Sequence, residues 1–372
     1  MHVRWLELTA FRIYASLGLA PDPGLNVLIG PNGQGKTSLL EALHLLLASR
    51  SFRTGRPGEC VAWGAERATV RGELVFGVQA RTIQLTVVAR GGIAAPGEPS
   101  AWAHVVAYAA TDLALLTGPP QGRRAYLDGV TAKLVPAHAE TCRRYRLILQ
   151  QRGGLLVSLA GRPDADRLLE PWDEQVATLG SEIVHRRLAA LAALGPDVQA
   201  VWSALARPGS GLQLVYAPVV APGEDVAATR ERLLTALAAG RHAEFTRGAT
   251  LVGPHRDELL IRLGSGEARS YASRGEQRLV VLTLRLAEAA SVRRRLGRPP
   301  VLLLDDLLSE LDRMTCERVL AWLRTQGQVL FSATDTLPEV GRGGTVWHVH
   351  SSAVAPVGIP RGMAAAVAGG AA

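Results

Sequence analysis

Most hydrophobic positions in this chain recur at one of two spacings, and two short runs, residues 25–29 and 301–304, are apolar nearly throughout. Runs of that length bounded by turn residues read as strands buried on both faces, as in a parallel sheet. Residues 3–8 and 104–108 read as further strands, whereas 69–76 and 82–88 alternate apolar and polar side chains, as antiparallel strands with one wet face do. Apolar helices are predicted over 38–48 and 279–290. The segment Thr117-Gly118-Pro119-Pro120-Gln121-Gly122 is a loop signal that closes this mixed pattern. From Arg123 the chain is rich in Ala, Leu and Arg and predicts helices over 123–128, 137–151, 166–194, 198–205 and 226–247, with a strand over 212–216. From Thr250 the β pattern returns, with a strand over 258–263, a Gly264-Ser265-Gly266 turn and a short return strand to Tyr271. The pattern predicts an α/β domain made of residues 1–116 and 250–350 around a mostly helical insert at 117–249. Residues 351–372 hold too few large side chains to pack and predict a disordered tail.

The chemistry gathers at the ends of the two apolar runs. The first leads into Gly30-Pro31-Asn32-Gly33-Gln34-Gly35-Lys36-Thr37 and then Ser38 at the head of a helix, a strand–loop–helix that matches the Walker A phosphate-binding loop. Its glycines let backbone N–H groups turn toward the β- and γ-phosphates of ATP, and the helix start adds its positive dipole end. Lys36 is placed to reach phosphate oxygens, and Thr37 to put its hydroxyl on Mg2+. The second run ends in Asp305-Asp306, a Walker B pattern in which Asp305 holds the Mg2+ shell with Thr37 and Asp306 polarises the attacking water. Lys36 and Asp305 are about 270 positions apart, against roughly 100 in a compact P-loop domain, which again calls for an insert of domain size.

Between the insert and Walker B, Ser273-Arg274-Gly275-Glu276-Gln277 heads the second apolar helix. Ser273 and Glu276 have capping-box spacing, and a serine with a glycine at a helix start also makes an anion site. Ser309-Glu310-Leu311-Asp312 and Phe331-Ser332-Ala333-Thr334-Asp335 come next, in the positions of a D-loop and a switch strand. His255, in Gly253-Pro254-His255-Arg256-Asp257, reads as a turn histidine held by backbone contacts before it reads as catalytic.

Charge adds a partner class. The net charge of +8 and pI near 10.0 suit an anionic partner, nucleic acid before membrane. Of the 41 basic residues only Lys36 and Lys133 are lysines, so one of the two sits at the phosphate position, where a compact ammonium serves better than a guanidinium fork. The arginine clusters at 143–152 and at Arg186-Arg187 read first as solvated helix surface. Cys60, Cys142 and Cys316 are too scattered for a disulfide framework or a zinc site, as in a reducing cytoplasm. The start Met1-His2-Val3-Arg4-Trp5 lacks signal architecture and no unbroken apolar run of membrane length is seen, so a cytoplasmic protein with no membrane partner is expected.

Together the four nucleotide motifs resemble the structural-maintenance-of-chromosomes (SMC) branch of the ATP-binding-cassette (ABC) superfamily, and more narrowly the RecF family of bacterial recombination mediators. The narrower resemblance rests on Arg50-Ser51-Phe52-Arg53-Thr54, on Asp112-Leu113 through Gly118-Pro119-Pro120 to Arg123-Arg124-Ala125-Tyr126-Leu127-Asp128, on Gly253-Pro254-His255-Arg256-Asp257, and on residues 304–312. It covers roughly residues 1–350 and implies an ABC/SMC-type P-loop ATPase head with no long coiled coil, since a helix of the insert is expected to span at most about 45 Å. It also implies an ATP-driven homodimer in which Ser273, Gly275 and Gln277 of one chain close over ATP held by the other. Implied too are binding of single-stranded DNA and single-strand/double-strand junctions, and work with RecO and RecR to load RecA in recombinational repair, replication restart and the SOS response. Walker B ends Asp-Asp where the superfamily has Asp-Glu, a shorter reach that predicts slow hydrolysis, and the resemblance then implies a weak DNA-dependent ATPase that acts as a switch. Thr334 or Asp335 replaces the usual switch histidine, and Ala110-Thr111-Asp112 stands where a Q-loop glutamine is expected. The rival readings are the ATPase subunit of an ABC transporter, which a pI near 10.0 does not suit, and a chromosome-structural SMC-like protein, which the short insert argues against.

Overall fold

In the computed structural model, which describes all residues except 95–102, 207–208, 210, 335–343 and 357–372, the run Leu25–Ile29 forms an inner strand of a six-stranded sheet. The sheet order is Ala353–Pro356, Thr345–His350, Leu25–Ile29, Val329–Ala333, Val301–Leu304, Val105–Tyr108. All neighbours are parallel except the first pair. Every residue of Leu25–Ile29, Val301–Leu304 and Val329–Ala333 is buried, the environment their composition demands. A second sheet, antiparallel, runs Tyr14–Leu19, His2–Phe11, Arg67–Phe76, Gln79–Val88, Ile93–Ala94. The helix Lys36–Ala48 packs against strands of both sheets. It is buried from Ser38 through Leu47, so it is apolar nearly all round and not merely on one stripe. Truncating one of its leucines, such as Leu43, falls in the class of core deletions that cost about 2–5 kcal/mol.

The described residues divide into two units: Met1–Leu113 with Ser203–Arg207 and Arg274–Ala372, and Ala114–Trp202 with Pro208–Ser273. This differs from the division expected at 249/250. The strand Glu258–Leu263 pairs along its whole length with Leu212–Ala217, a strand of the insert, and so residues 250–273 fold with the second unit. That unit is otherwise helical: Ala114–Thr117, Pro120–Leu134, Ala137–Ser158, Ala165–Leu205 as far as Trp202, Val226–Arg247 and Ala268–Tyr271. The expected return strand to Tyr271 is only Gly266–Glu267, after which the chain turns helical.

Three further expectations are corrected. Helices predicted over 166–194 and 198–205 form one helix, Ala165–Leu205, of 41 residues, which continues through Pro171 and Pro196. Proline removes one helical N–H and usually bends or ends a helix. Here Val198, Val201 and Trp202 beyond Pro196 remain buried, so packing carries the helix past it. At 1.5 Å per residue it extends about 60 Å, beyond the length expected, though it is one helix and not a coiled-coil arm. One 18-residue window of it has mean hydropathy 1.3, long and apolar enough by composition to cross a membrane. Core contacts account for part of that apolarity, because Leu169, Val176 and Ile183 sit in the second unit's hydrophobic clusters. The tail expected from 351 onward begins instead with the strand Ala353–Pro356, paired antiparallel with Thr345–His350, and residues from 357 lie outside the described ones.

Candidate nucleotide-binding site

Parallel strands place their following residues at one edge of the sheet, and that edge carries the site. Gly30 follows Leu25–Ile29, Asp305 follows Val301–Leu304, and Thr334 follows Val329–Ala333. A cleft of about 560 Å³ opens there, lined by Asn32, Gly33, Gly35, Lys36, Thr37 and Ser38 from the loop and by Asp305, Asp306, Ser332 and Thr334 from the neighbouring strand ends. Crevices at the carboxyl ends of strands are the usual ligand sites of α/β sheets.

All three glycines of the loop have positive φ, and at two of them a Cβ would also clash. Gly30 has φ +148 and a Cβ there would lie 2.1 Å from the Val349 carbonyl oxygen, while Gly35 has φ +109 and a Cβ would lie 2.5 Å from the Tyr14 hydroxyl. The helix Lys36–Ala48 starts with no side-chain cap and no acidic residue in its first turn, which leaves its first N–H groups to an anion. The Lys36 ammonium donates to the carbonyls of Gly30 at 2.5 Å and Pro31 at 2.9 Å. Burial pulls its pKa down, and the charges of Asp305 and Asp306 oppose that shift. Gln34 faces elsewhere, its side-chain oxygen accepting the Ser351 N–H at 2.6 Å.

Asp305 is held by two hydroxyls. Thr37 Oγ1 donates to its Oδ1 at 2.9 Å and Ser332 Oγ to the same oxygen at 2.7 Å. Ser332 Oγ also accepts the Asp306 N–H at 2.8 Å, fixing the start of the turn after the strand. Asp306 has φ +50, a left-handed backbone that Asp tolerates better than most side chains, and its Oδ2 accepts from Ser309 Oγ at 2.8 Å. The donor set of Thr37 and Asp305 is oxygen only, which fits a hard divalent cation such as Mg2+ and not a thiolate-seeking metal.

The helix Arg274–Leu296 begins directly after Ser273. The lining of the cleft includes none of Ser273, Gly275 and Gln277, so the structure does not bring the signature residues to this chain's own phosphate loop. Arg278 of that helix binds the Ser309 hydroxyl and the Glu310 carboxylate, the latter at 3.1 Å, and a Cβ on Gly275 would lie 3.3 Å from the Glu310 carbonyl oxygen. Further along it, Arg285 pairs with Asp112 at 2.7 Å, in the segment read as a Q-loop. Ala110 of that segment lines the cleft. Asp335 lies outside the described residues, whereas Thr334 is at the cleft.

Sequence reasoning missed Ser332 as a partner of both acids, although it had placed the residue on the switch strand. It also missed a charged cluster behind the loop. Glu41 is fully buried on the phosphate-loop helix and receives Arg12 at 2.8 Å, Arg53 at 3.2 Å and the Ser51 hydroxyl at 2.5 Å. Burial would raise its pKa, but Arg12, Ser51 and Arg53 outweigh that and hold it below the usual range. Arg12 and Arg53 both reach the cleft.

Other charged groups are closed on themselves. Asp128, His138 and Cys142 bring ligand atoms within 4.8 Å of one another, yet Arg187 takes both Asp128 oxygens at 2.8 and 2.9 Å. Burial opposes ionisation of Asp128, but His138 and Arg187 together pull its pKa to about 2. A guanidinium already fills the place of a cation there. His255 is a turn histidine, as expected: Nε2 donates to the Thr250 carbonyl at 3.0 Å and Nδ1 accepts from the Tyr145 hydroxyl at 2.9 Å.

Comparison with known proteins agrees with this geometry. Residues 6–108 match the family model described as an AAA domain. The chain is 38% identical to the DNA replication and repair protein RecF of Streptomyces avermitilis over 364 residues, covering 92% of this chain and 96% of that one. It is 35% identical to RecF of a Synechococcus strain, covering 96% and 98%. Among solved structures, RecF with ATP, described as the recombination mediator protein of the RecFOR pathway, superposes with a TM-score of 0.84 at 26% identity, covering 96% of this chain and 99% of that one. The Smc head domain from Pyrococcus furiosus, covering 99% and 98% at 14% identity, matches with a TM-score of 0.55 and so shares the fold. With phosphate loop, Walker B strand end and switch strand on one sheet edge, and relatives of this identity along nearly its whole length, the chain belongs to the RecF family of DNA replication and repair proteins.

Proposed function

We propose that this chain is an ATP-dependent DNA-binding protein that dimerises on ATP, clamps DNA at single-strand/double-strand junctions, and with RecO and RecR helps load RecA in recombinational repair, replication restart and the SOS response. The observation that supports it is the half-built character of the cleft. Phosphate loop, Lys36, Thr37 and Asp305 line it, while Ser273, Gly275 and Gln277 are absent from its lining. A second copy of the chain, turned head to tail, would supply those residues over the γ-phosphate. In this reading the backbone N–H groups of residues 32–38 bind the phosphates and the Lys36 ammonium turns from the Gly30 and Pro31 carbonyls to phosphate oxygens. Thr37 and Asp305 hold Mg2+, which when bound neutralises charge on the β- and γ-phosphates. Asp306 orients water, and its short reach together with its bond to Ser309 makes hydrolysis slow, so that ATP works as a clamp with a timer. The net charge of +8 favours the phosphate backbone of DNA and predicts salt-sensitive binding.

Sedimentation of wild type and Lys36→Arg, with and without ATP and a junction DNA, tests the reading. Wild type is expected to shift from monomer to dimer with ATP and to carry DNA with it, and Lys36→Arg to stay monomeric. A wild type that remains monomeric with ATP and DNA together sinks the clamp.

A further inference from the structure

Phosphate chemistry leaves part of the cleft wall without a task. Beside the loop residues, the wall contains Ile13, Trp63, Arg12 and Glu59. Ile13 stands at the turn between His2–Phe11 and Tyr14–Leu19, about half exposed, and Trp63 is fully exposed. Backbone holds the two places side by side: Arg12 N–H donates to the Cys60 carbonyl and Ala62 N–H to the Ala10 carbonyl, each at 2.8 Å, and Phe11 bridges Val61. Arg12 is fixed in turn, by its ion pair at 2.8 Å to Glu41 and by donation to the Glu59 carbonyl at 2.6 Å. This patch is therefore tied to Lys36–Ala48, the helix that carries the phosphate-binding lysine.

An indole left wholly in water gains nothing from packing in this chain. On a rigid turn, at the rim of a phosphate-binding cleft and near a guanidinium, it offers a flat apolar face to a planar heterocycle. We infer that Trp63 and Ile13 form the nucleoside-binding wall of the site, with the base stacked on the Trp63 indole and Arg12 held against it by buried Glu41. The inference rests on the cleft being a triphosphate site. It adds that affinity comes from the base as well as from the phosphates, with a purine favoured over a pyrimidine because its π face is larger. Glu59, whose Oε2 is engaged by Thr54 at 2.7 Å, supplies an acceptor at the same wall for a base N–H or a ribose hydroxyl.

Equilibrium titration of the full chain with ATP, CTP and inorganic tripolyphosphate tests it, using wild type, Trp63→Ala and Trp63→Phe. Because the Trp63 side chain packs against nothing, its loss leaves folding intact. Wild type is expected to bind ATP more tightly than CTP and CTP more tightly than tripolyphosphate. Trp63→Ala is expected to weaken ATP roughly tenfold, CTP less, and tripolyphosphate not at all, with Trp63→Phe restoring most of the loss. If Trp63→Ala binds ATP as wild type does, or wild type binds ATP and tripolyphosphate alike, the wall is not a nucleoside site although the phosphate site stands. If wild type binds neither, the phosphate site and this inference fall together.

Discussion

Lys36 in one unit and Arg152 in the other are both buried cations, and they are buried to opposite ends. Arg152 is fully buried, and its guanidinium is spent on protein partners: Asp173 at 2.8 Å, Thr250 at 2.7 Å and Glu244 at 2.6 Å. It joins the helix Ala137–Ser158 to residues on Ala165–Leu205, Val226–Arg247 and the segment after it. Lys36 has only two backbone carbonyls and sits on the wall of an open cleft. Burial of charge therefore does not mark a site by itself. A closed set of partners marks a strut, and an open one marks a ligand.

The largest expected effect separates the two. Arg152→Ala leaves fully buried Glu244 without its guanidinium partner and Asp173 with Arg241 alone, which should cost about 3–5 kcal/mol of stability in urea unfolding. Lys36→Met should change stability by less than about 1 kcal/mol, because no buried carboxylate depends on it for an ion pair, and should abolish nucleotide binding. An Arg152→Ala protein that unfolds at the wild-type urea midpoint would break the distinction.

The second unit should also respond to acid where its histidine is locked. Burial, with opposition from the Thr250 carbonyl and help from nearby arginines, lowers the His255 pKa to about 4. Donation of Nε2 to Thr250 and acceptance by Nδ1 from Tyr145 define a neutral ring, and protonating Nδ1 forces the Tyr145 hydroxyl to turn from donor to acceptor. A histidine whose folded pKa lies below its unfolded value near 6.5 stabilises the fold fully above that value. The contribution fades as pH falls from about 6.5 to 4, by about 3 kcal/mol at most. Unfolding free energies measured across that window should slope downward in wild type and less steeply in His255→Gln. Equal slopes would assign the acid sensitivity to other groups.

What could be read in the chain before folding was whatever is contiguous. The phosphate loop is eight residues in a row, and its strand and helix announce themselves by apolar runs on either side. Walker B is a strand and two acids, and the family-specific segments are equally local. The strand Tyr14–Leu19 was not anticipated; only its two ends are buried, and its exposed interior leaves no regular alternation. Pro196 marked a helix end locally, and tertiary packing overrode it. The boundary at 273 was hidden because it is set by the pairing of Glu258–Leu263 with a strand some forty residues earlier. Arg53 was visible within its motif, but its partner Glu41 and their neighbour Arg12 meet only when three segments converge. The same holds for Ser332, whose two bonds join the ends of adjacent strands.

Ser332 offers the finest test of what an open site requires. Its hydroxyl donates to Asp305 and accepts from the Asp306 N–H, so one oxygen sets both Walker B acids. Ser332→Ala removes a donor from a carboxylate that keeps Thr37 as its other donor, and it frees the turn that holds Asp306 at φ +50. Both changes affect aim more than charge. ATP affinity should therefore stay within about threefold of wild type, while turnover falls roughly tenfold, the cost of one hydrogen bond to a charged group. Steady-state turnover measured beside an independent ATP binding constant separates these outcomes. If turnover is unchanged, strand pairing alone aims the two acids, and the open cluster is more rigid than its few side-chain bonds suggest.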